Sequence, residues 1–303
     1  MSDLIERTKS HTFKEFTIFK GVIEGTIEGF KRRFCIMSRD HWKVFYSSMY
    51  DLLGKSTNAI LRKIGEDFGQ KLYASIENQF KTEPKTTFLF ILQELEKLGW
   101  GAFWNIRINT DSKEIEVELH NSIEVYKEGI PSCYHVYGIL KGLAKSILGE
   151  DIVIREIECT AKGDKICKFI IGTKTVVPEL YPKETIEKLI NILQELKKTI
   201  KSSVELVATT DGRPIITNLS EEIDSSLWTT NLSFILEGGK NSSHTIKNGD
   251  LKEIIINAEK GIIITSQVTK DIIIAVVVGS DTSPGLAGLA LKKAKDKIIE
   301  LLK

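Results

Sequence analysis

The sequence predicts an α+β chain of two domains, and three observations lead to this prediction. A length of 303 residues is typical of about two domains. Helical and strand-like patterns succeed one another along the whole chain. A segment with two prolines, residues 173–182, separates two different patterns, and all four cysteines precede it. We therefore predict a first domain over residues 1–173, a linker over 174–184 and a second domain over 185–303.

The composition argues against several functional classes. With 42% hydrophobic and 27% charged residues, the chain can bury an ordinary globular core. Lys+Arg 42 against Asp+Glu 41 leaves a net charge of +1, so a nucleic acid is not expected as the main partner. No apolar run approaches the roughly 20 residues of a membrane-spanning helix, and residues 1–10 lack a signal-peptide core. We expect a cytoplasmic protein without a transmembrane segment.

The first domain opens with strands and continues with helices. β-Branched and aromatic residues mixed with glycines predict hairpins over residues 12–37. Apolar residues at helical spacing then predict three helices, over 42–53, 60–72 and 86–98. Gly65 and Gly69 in the second helix predict close helix packing or a bend, because glycine inside a helix costs about 1 kcal/mol relative to alanine. The remaining elements are two strands, a helix and a hairpin, over 101–109, 114–120, 132–148, 152–161 and 167–172.

The second domain has the order α-β-β-α-β-β-β-α. Its first helix, over 186–200, has one apolar face and one charged face. Ser283 and Pro284 form a favoured N-terminus for the last helix. A middle helix is predicted over 225–236, followed by a polar break at 238–241. The strands are predicted over 204–208, 215–217, 251–256, 261–267 and 271–278.

Three clustered cysteines and a glutamate have the spacing of a metal site, Cys133-x22-Glu156-x2-Cys159-x7-Cys167. A glycine-containing hairpin loop lies between Cys159 and Cys167 and can bring the two sulfurs together. Zinc favours four protein ligands in a closed tetrahedron, and such a site would be structural. From the residues alone, Glu158 or His135 could replace Glu156 as a ligand. The alternative is that the cysteines are small buried hydrophobic residues.

The first domain resembles the 4-vinyl reductase domain family. The motif is Pro131-Ser-Cys133, with Gly138, Gly142 and Gly149, followed by Glu156-x2-Cys159-x-Ala161-x-Gly163-Asp164-x2-Cys167-x-Phe169. The resemblance implies an α/β plait, in which helices pack on a twisted antiparallel sheet, as in core subunits of a trafficking complex. It also implies that Cys133, Glu156, Cys159 and Cys167 bind structural zinc beside a pocket for an aromatic effector. The vinyl reduction that gives the family its name is not a general activity of the domain.

The second domain resembles the roadblock/dynein light-chain family. The similar residues are Asp211-Gly212 with their neighbours 209–215, the paired apolar strands, and Gly285 and Gly288 in the last helix. The resemblance implies a homodimer and a docking platform for a small Ras-like GTPase. The polar break at 238–241 departs from the family pattern, where a longer helix is expected, and weakens the prediction of a partner surface.

The sequence favours a non-enzymatic sensory protein over two alternatives. There is no GxxxxGK[ST] phosphate loop, and Gly99-x-Gly101 lacks a third glycine and precedes a strand. We expect a small hydrophobic or aromatic ligand, or an acyl chain, in a pocket lined by aromatic residues. The alternatives are a GTPase regulator or trafficking-like scaffold and, with less support, a reductase. The pocket residues predicted are Phe88, Trp100, Phe103, Trp104, Tyr134 and Tyr137.

Overall fold

A computed structural model describes residues 13–19, 22–27, 33–36, 38–125, 132–149, 152–173, 180–220 and 223–303. Within these residues the strands form three antiparallel sheets, of three, four and five strands. The chain is therefore an α+β protein, as predicted. Pro131, which belongs to the predicted motif, lies outside the described residues.

The first part of the chain runs from a small sheet into three helices. Strands β1 (Phe13–Phe19), β2 (Val22–Ile27) and β3 (Arg33–Ile36) form the three-stranded sheet in that order, where hairpins were predicted. Ser38 caps the next helix by accepting the backbone N–H of His41. The helices are α1 (Arg39–Leu53), α2 (Ser56–Phe80) and α3 (Pro84–Lys97).

A four-stranded sheet and one more helix complete this part. The elements are β4 (Ala102–Asn109), β5 (Glu114–His120), α4 (Tyr134–Leu148), β6 (Val153–Glu158) and β7 (Cys167–Gly172). The strand order is β4-β5-β7-β6. Alternate residues of β5 and β7, such as Val117 and Phe169, are fully buried beneath α3 and α4, so one face of the sheet carries the core. Helices on an antiparallel sheet are the arrangement predicted for the first domain.

Helices α2 and α4 touch backbone to backbone through glycines. A Cβ added at Gly65 would lie 2.2 Å from the His135 carbonyl oxygen, and one added at Gly138 would lie 2.1 Å from that of Arg62. Gly69 and Gly142 meet the opposite helix at 2.4 Å and 2.1 Å in the same way. Of the two predicted roles of the α2 glycines, close packing is therefore the correct one.

The second part of the chain is a five-stranded sheet between helices. Its elements are α5 (Lys183–Ile200), β8 (Val204–Thr209), β9 (Pro214–Thr217), α6 (Ser225–Thr245), β10 (Ile254–Ala258), β11 (Gly261–Gln267), β12 (Ile272–Gly279) and α7 (Pro284–Leu301). The strand order is β10-β11-β12-β8-β9. One face, with Val207 and Ile274, packs on α5 and α7, and the other, with Leu206 and Ile273, packs on α6. The order of elements is the predicted α-β-β-α-β-β-β-α.

The predicted break at residues 238–241 is wrong, since α6 continues through both glycines to Thr245. Gly239 fits closely under the next strand, because a Cβ there would lie 2.8 Å from Ile254 and 3.1 Å from Leu251. Lys240 also pairs with Glu237 at 2.6 Å, one helical turn away. Tertiary packing thus outweighs the low helix propensity of glycine at this point.

Three other boundaries differ from the sequence predictions. Strand β6 ends at Glu158, because residues 160–162 form a 3-10 turn instead of extending the strand to 161. Strand β10 covers 254–258 instead of 251–256. Helix α5 begins at Lys183, two residues inside the predicted linker. No helix among the described residues has the length and apolar character needed to cross a membrane.

Candidate metal centre

The predicted ligands lie where three elements meet at one end of the four-stranded sheet. Cys133 is the residue before α4, Glu156 is on β6, Cys159 follows β6 and Cys167 begins β7. The three sulfurs and one carboxylate oxygen of Glu156 all lie within 4.8 Å of one another. The three cysteines are buried and unbridged. The structure thus brings together all four residues that the sequence singled out.

A tight turn holds Cys159 beside Cys167. Gly163 adopts a φ of 100°, in the left-handed region that glycine tolerates. The Asp164 carboxylate accepts the backbone N–H of Cys159 at 2.8 Å, which closes the turn, as expected for a turn former. The backbone N–H of Thr160 then donates to Cys167 Sγ at 3.3 Å. Local hydrogen bonds therefore orient two of the three sulfurs.

The spacing of the sulfur atoms fits a shared cation better than a disulfide. Cys133 Sγ and Cys167 Sγ are 3.4 Å apart. A disulfide would require about 2.0 Å. Tetrahedral zinc with Zn–S bonds of about 2.3 Å separates its sulfurs by about 3.8 Å. Small displacements would bring the cluster to that geometry.

The carboxylate of Glu156 is the strongest sign that a cation belongs here. Its Oε1 is buried and accepts no hydrogen bond from the described residues. Burial and the neighbouring Cys159 raise the pKa of this carboxyl to about 9. A buried carboxylate without a partner is costly, whereas a divalent cation would hold it ionised. The donor set therefore fits a metal ion and does not fit a purely apolar role for the cysteines.

The thiols respond to one another in the same way. Hydrogen bonds among the thiols, with burial, raise the pKa of Cys133 well above its usual range. Hydrogen bonds from Cys133, Cys159 and Thr160 lower the pKa of Cys167 to about 4. One sulfur is thus a thiolate without any metal, and the arrangement concentrates negative charge in a buried space.

The two alternative ligands lie outside the cluster. The ladder between β6 and β7 shifts register between Glu156 and Glu158, so the two carboxylates are not equivalent. The His135 ring stacks on Trp100, with centroids 4.9 Å apart. Glu156 is therefore the carboxylate that the geometry favours.

The predicted pocket residues do not converge on one point. Phe88 and Phe103 are buried in the core. Trp104 is 56% exposed, and its ring lies 4.4 Å from that of His120, on the face of the sheet opposite Phe103. Trp100 joins Trp42 and His135 in an aromatic cluster. Tyr134 and Tyr137 lie against the guanidinium of Arg62.

Two residues that position the centre were missed from the sequence. Glu124 is fully buried and accepts the backbone N–H groups of His135 and Val136 at 3.0 Å and 2.8 Å, which anchors the first turn of α4. Burial raises the pKa of this carboxyl well above its usual range, although the two N–H groups act in the opposite direction. Arg62, on α2, contacts the same turn through Tyr134. Glu124 is an acidic residue just before a predicted helix, and that was the available signal.

Comparison with known families identifies residues 114–173 as a 4-vinyl reductase domain. This confirms the predicted resemblance, and the matched segment contains all four clustered residues. Comparison with curated protein sequences finds no significant match.

Solved structures are similar to each part of the chain. The phenol-responsive sensory domain of the transcription activator PoxR, with phenol, is 16% identical; the match covers 57% of this chain and 87% of that one, with a TM-score of 0.44. MglB of Myxococcus xanthus is 18% identical over 41% of this chain and 94% of its own, with a TM-score of 0.39. A roadblock/LC7 domain from Streptomyces avermitilis is 12% identical over 37% and 94%, with a TM-score of 0.35.

Proposed function

We propose that this chain is a non-enzymatic regulatory protein whose first half, which contains the 4-vinyl reductase domain, is braced by a structural zinc ion and senses a small hydrophobic ligand. The observation that carries the proposal is the buried cluster of three thiols and the unpartnered Glu156 carboxylate inside that domain. Bound zinc would supply structural bracing, linking the start of α4 to the β6–β7 hairpin. With four protein ligands the ion has no open position for a substrate.

The aromatic cluster at the start of α4 is the ligand site that we favour. Trp42 and His135 are each more than nine-tenths buried, yet Trp42 Nε1 and His135 Nδ1 have no hydrogen-bond partner among the described residues. Their rings are 5.8 Å apart, and Trp100 packs on both. Two buried polar atoms between aromatic rings suit a small aromatic molecule that carries a hydrogen-bonding group. Of the predicted pocket residues, Trp100 and its neighbour Tyr134 belong to this region.

The second half of the chain supports a partner-docking role as the other candidate function. Leu286 and Leu289 on α7 are 52% and 64% exposed, and β10 is an edge strand of its sheet with Ile255 partly exposed. Exposed apolar side chains of this kind occur at protein interfaces. A second copy of the chain and a small Ras-like GTPase are the partners that the roadblock-type fold favours. Capture of such a GTPase without any added ligand would favour a scaffold over a sensor.

A reductase has less support. Among the described residues, the strongly shifted pKa values belong to buried groups in and around the thiol cluster and to the ionic network at Asp211. A closed cluster and a buried ion pair both lack room for a reacting substrate. NAD(P)H-dependent turnover by the purified protein would overturn this part of the proposal.

Native mass spectrometry of the full chain tests the metal proposal directly. We expect one zinc ion per chain in the wild type and in Cys35→Ser, which changes the cysteine outside the motif. We expect no zinc in Cys159→Ser, and a large loss of affinity in Glu156→Gln, which keeps the shape of the side chain but removes the negative charge. A wild-type mass without metal, or zinc retained by Cys159→Ser, would contradict the proposal. The same spectra report a co-purified ligand and the oligomeric state.

A further inference from the structure

Arg62 connects the start of the metal-centre helix with the second half of the chain. It lies on α2 and is 8% exposed, unusually buried for an arginine. Its guanidinium carbon lies 5.3 Å from the ring centroid of Tyr134 and 5.7 Å from that of Tyr137, both on α4. Tyr134 follows Cys133 directly, and the Tyr137 hydroxyl donates to the Ile154 carbonyl at 2.6 Å. Arg62 therefore contacts residues that flank two of the four cluster positions.

The other side of the same guanidinium is held by the turn between β8 and β9. Arg62 Nη1 lies 2.9 Å from Asp211 Oδ2, and Nη2 donates to the Asp211 carbonyl. The second carboxylate oxygen of Asp211 accepts from the Thr209 hydroxyl and, at 3.3 Å, from Arg213. Burial alone would raise the pKa of Asp211, but the charges of Arg62 and Arg213 hold it well below its usual range. The pair is therefore ionised at neutral pH.

Close packing leaves little free movement at either end of this connection. On the α4 side, a Cβ at Gly138 would meet the carbonyl oxygen of Arg62 itself at 2.1 Å. On the other side, a Cβ at Gly212 would lie 2.7 Å from Ala59 Cβ on α2 and 3.2 Å from Thr230 Cα on α6. The Thr229 hydroxyl also donates to the Gly212 carbonyl at 2.7 Å. A displacement of the start of α4 cannot be absorbed locally, because packed interfaces of this kind shift as units.

We propose that Arg62 is a positioning residue that couples the first turn of α4, beside the thiol cluster, to the 209–213 turn and helix α6 of the second, roadblock-type half. The state of the first half is thereby transmitted to the half that docks partners. The coupling rests on the proposed function, in which zinc and a ligand act on the first half. It gives that function a physical route, made of one cation between two aromatic rings and one carboxylate.

Hydrogen–deuterium exchange on the full chain tests the coupling, with metal-loaded and chelator-treated samples compared. In the wild type, removal of the metal should accelerate exchange in residues 153–172 and also, about tenfold, in residues 204–217. In Arg62→Met, exchange in 204–217 should be fast from the start and should no longer respond to the metal, while 153–172 still responds. Residues 284–301 serve as the internal reference for global unfolding.

Lys63→Met is the matched control. Lys63 is the next residue on α2 and pairs across the same interface with Asp224 at 3.2 Å, but Arg62 is the residue placed over the tyrosine rings. This variant should keep the metal response of 204–217. A purely structural Arg62 would leave the response intact in Arg62→Met as well. That result, or a wild-type 204–217 segment that ignores the metal while 153–172 responds, would overturn the coupling.

A second arm does not depend on zinc. Tyr134→Leu removes one ring from Arg62 without changing a cluster residue, and it should accelerate exchange in 204–217 when Arg62 is present but not in the Arg62→Met background. Metal content measured on the same samples separates the two proposals. A chain without metal contradicts the zinc site, whereas an unchanged 204–217 segment in Tyr134→Leu contradicts the coupling.

Discussion

Helix α2 forms two unlike interfaces on its two sides. Toward α4 it presents Gly65 and Gly69, and the backbones touch with no side chain between them. Toward the second half it presents Lys55, Arg62 and Lys63, which pair with Asp271, Asp211 and Asp224. The glycine interface depends on shape alone and tolerates no added atom. The ionic interface depends on charge, so pH or a change at one partner can alter it.

The largest effect is expected at the glycine interface. Gly138→Ala places a Cβ 2.1 Å from a backbone oxygen of α2, and neither backbone can move aside without separating the helices. We expect a loss of about 3–4 kcal/mol in the free energy of unfolding, measured by urea denaturation. Gly238→Ala is the matched control, because it is also a helical glycine but has no atom within 4 Å of the added Cβ. It should stabilise the protein by up to about 1 kcal/mol. Equal effects of the two changes would contradict the difference between the interfaces.

The buried ion pair should show the next largest effect. Arg62→Met leaves Asp211 without its main partner in a buried place, and Asp211→Asn removes the charge that Arg62 needs. Each change should cost about 3 kcal/mol, because an unpaired buried charge is costly. The double variant should be more stable than the sum of the two losses predicts, which a double-mutant cycle measures. Strict additivity would mean that the two residues do not interact.

The ionic interface should also weaken in acid, while the glycine interface should not. The folded-state pKa of Asp211 lies below the usual value of 3.8, so its contribution is complete above pH 3.8 and is lost as the pH falls from there toward the folded-state pKa. We expect the free energy of unfolding to fall by about 1–2 kcal/mol more in the wild type than in Asp211→Asn between pH 5 and pH 3. Parallel curves for the two proteins would contradict an ionised pair.

The smallest effect is expected where the ionic interface meets solvent. Lys63→Met removes the contacts to Asp67 and Asp224, whose side chains are about half exposed. Exposed pairs are screened by water, so the change should be within about 0.5 kcal/mol. A loss as large as that of Arg62→Met would show that charge, and not burial, dominates this interface.

The parts of the structure that could be predicted from the sequence depend on short-range patterns. The order of elements follows from apolar periodicity, and the thiol–carboxylate cluster follows from residues close together at the ends of one hairpin. The link from Arg62 to Asp211 joins residues 149 positions apart, and no spacing rule indicates it. Trp104 was misplaced because strand residues alternate between faces, so its neighbour Phe103 faces the core. Helix α6 was shortened because the packing of Gly239 on Ile254 is not visible in local propensity.

X-ray absorption at the zinc edge of the purified full chain is the most direct test of the metal centre. The structure predicts three sulfur neighbours at about 2.3 Å and one oxygen at about 2.0–2.2 Å, from Cys133, Cys159, Cys167 and Glu156. In Glu156→Gln, a weaker or altered oxygen contribution should appear while the sulfur shell remains. An absorption edge at background level, or a first shell without sulfur, would contradict a zinc-braced first half.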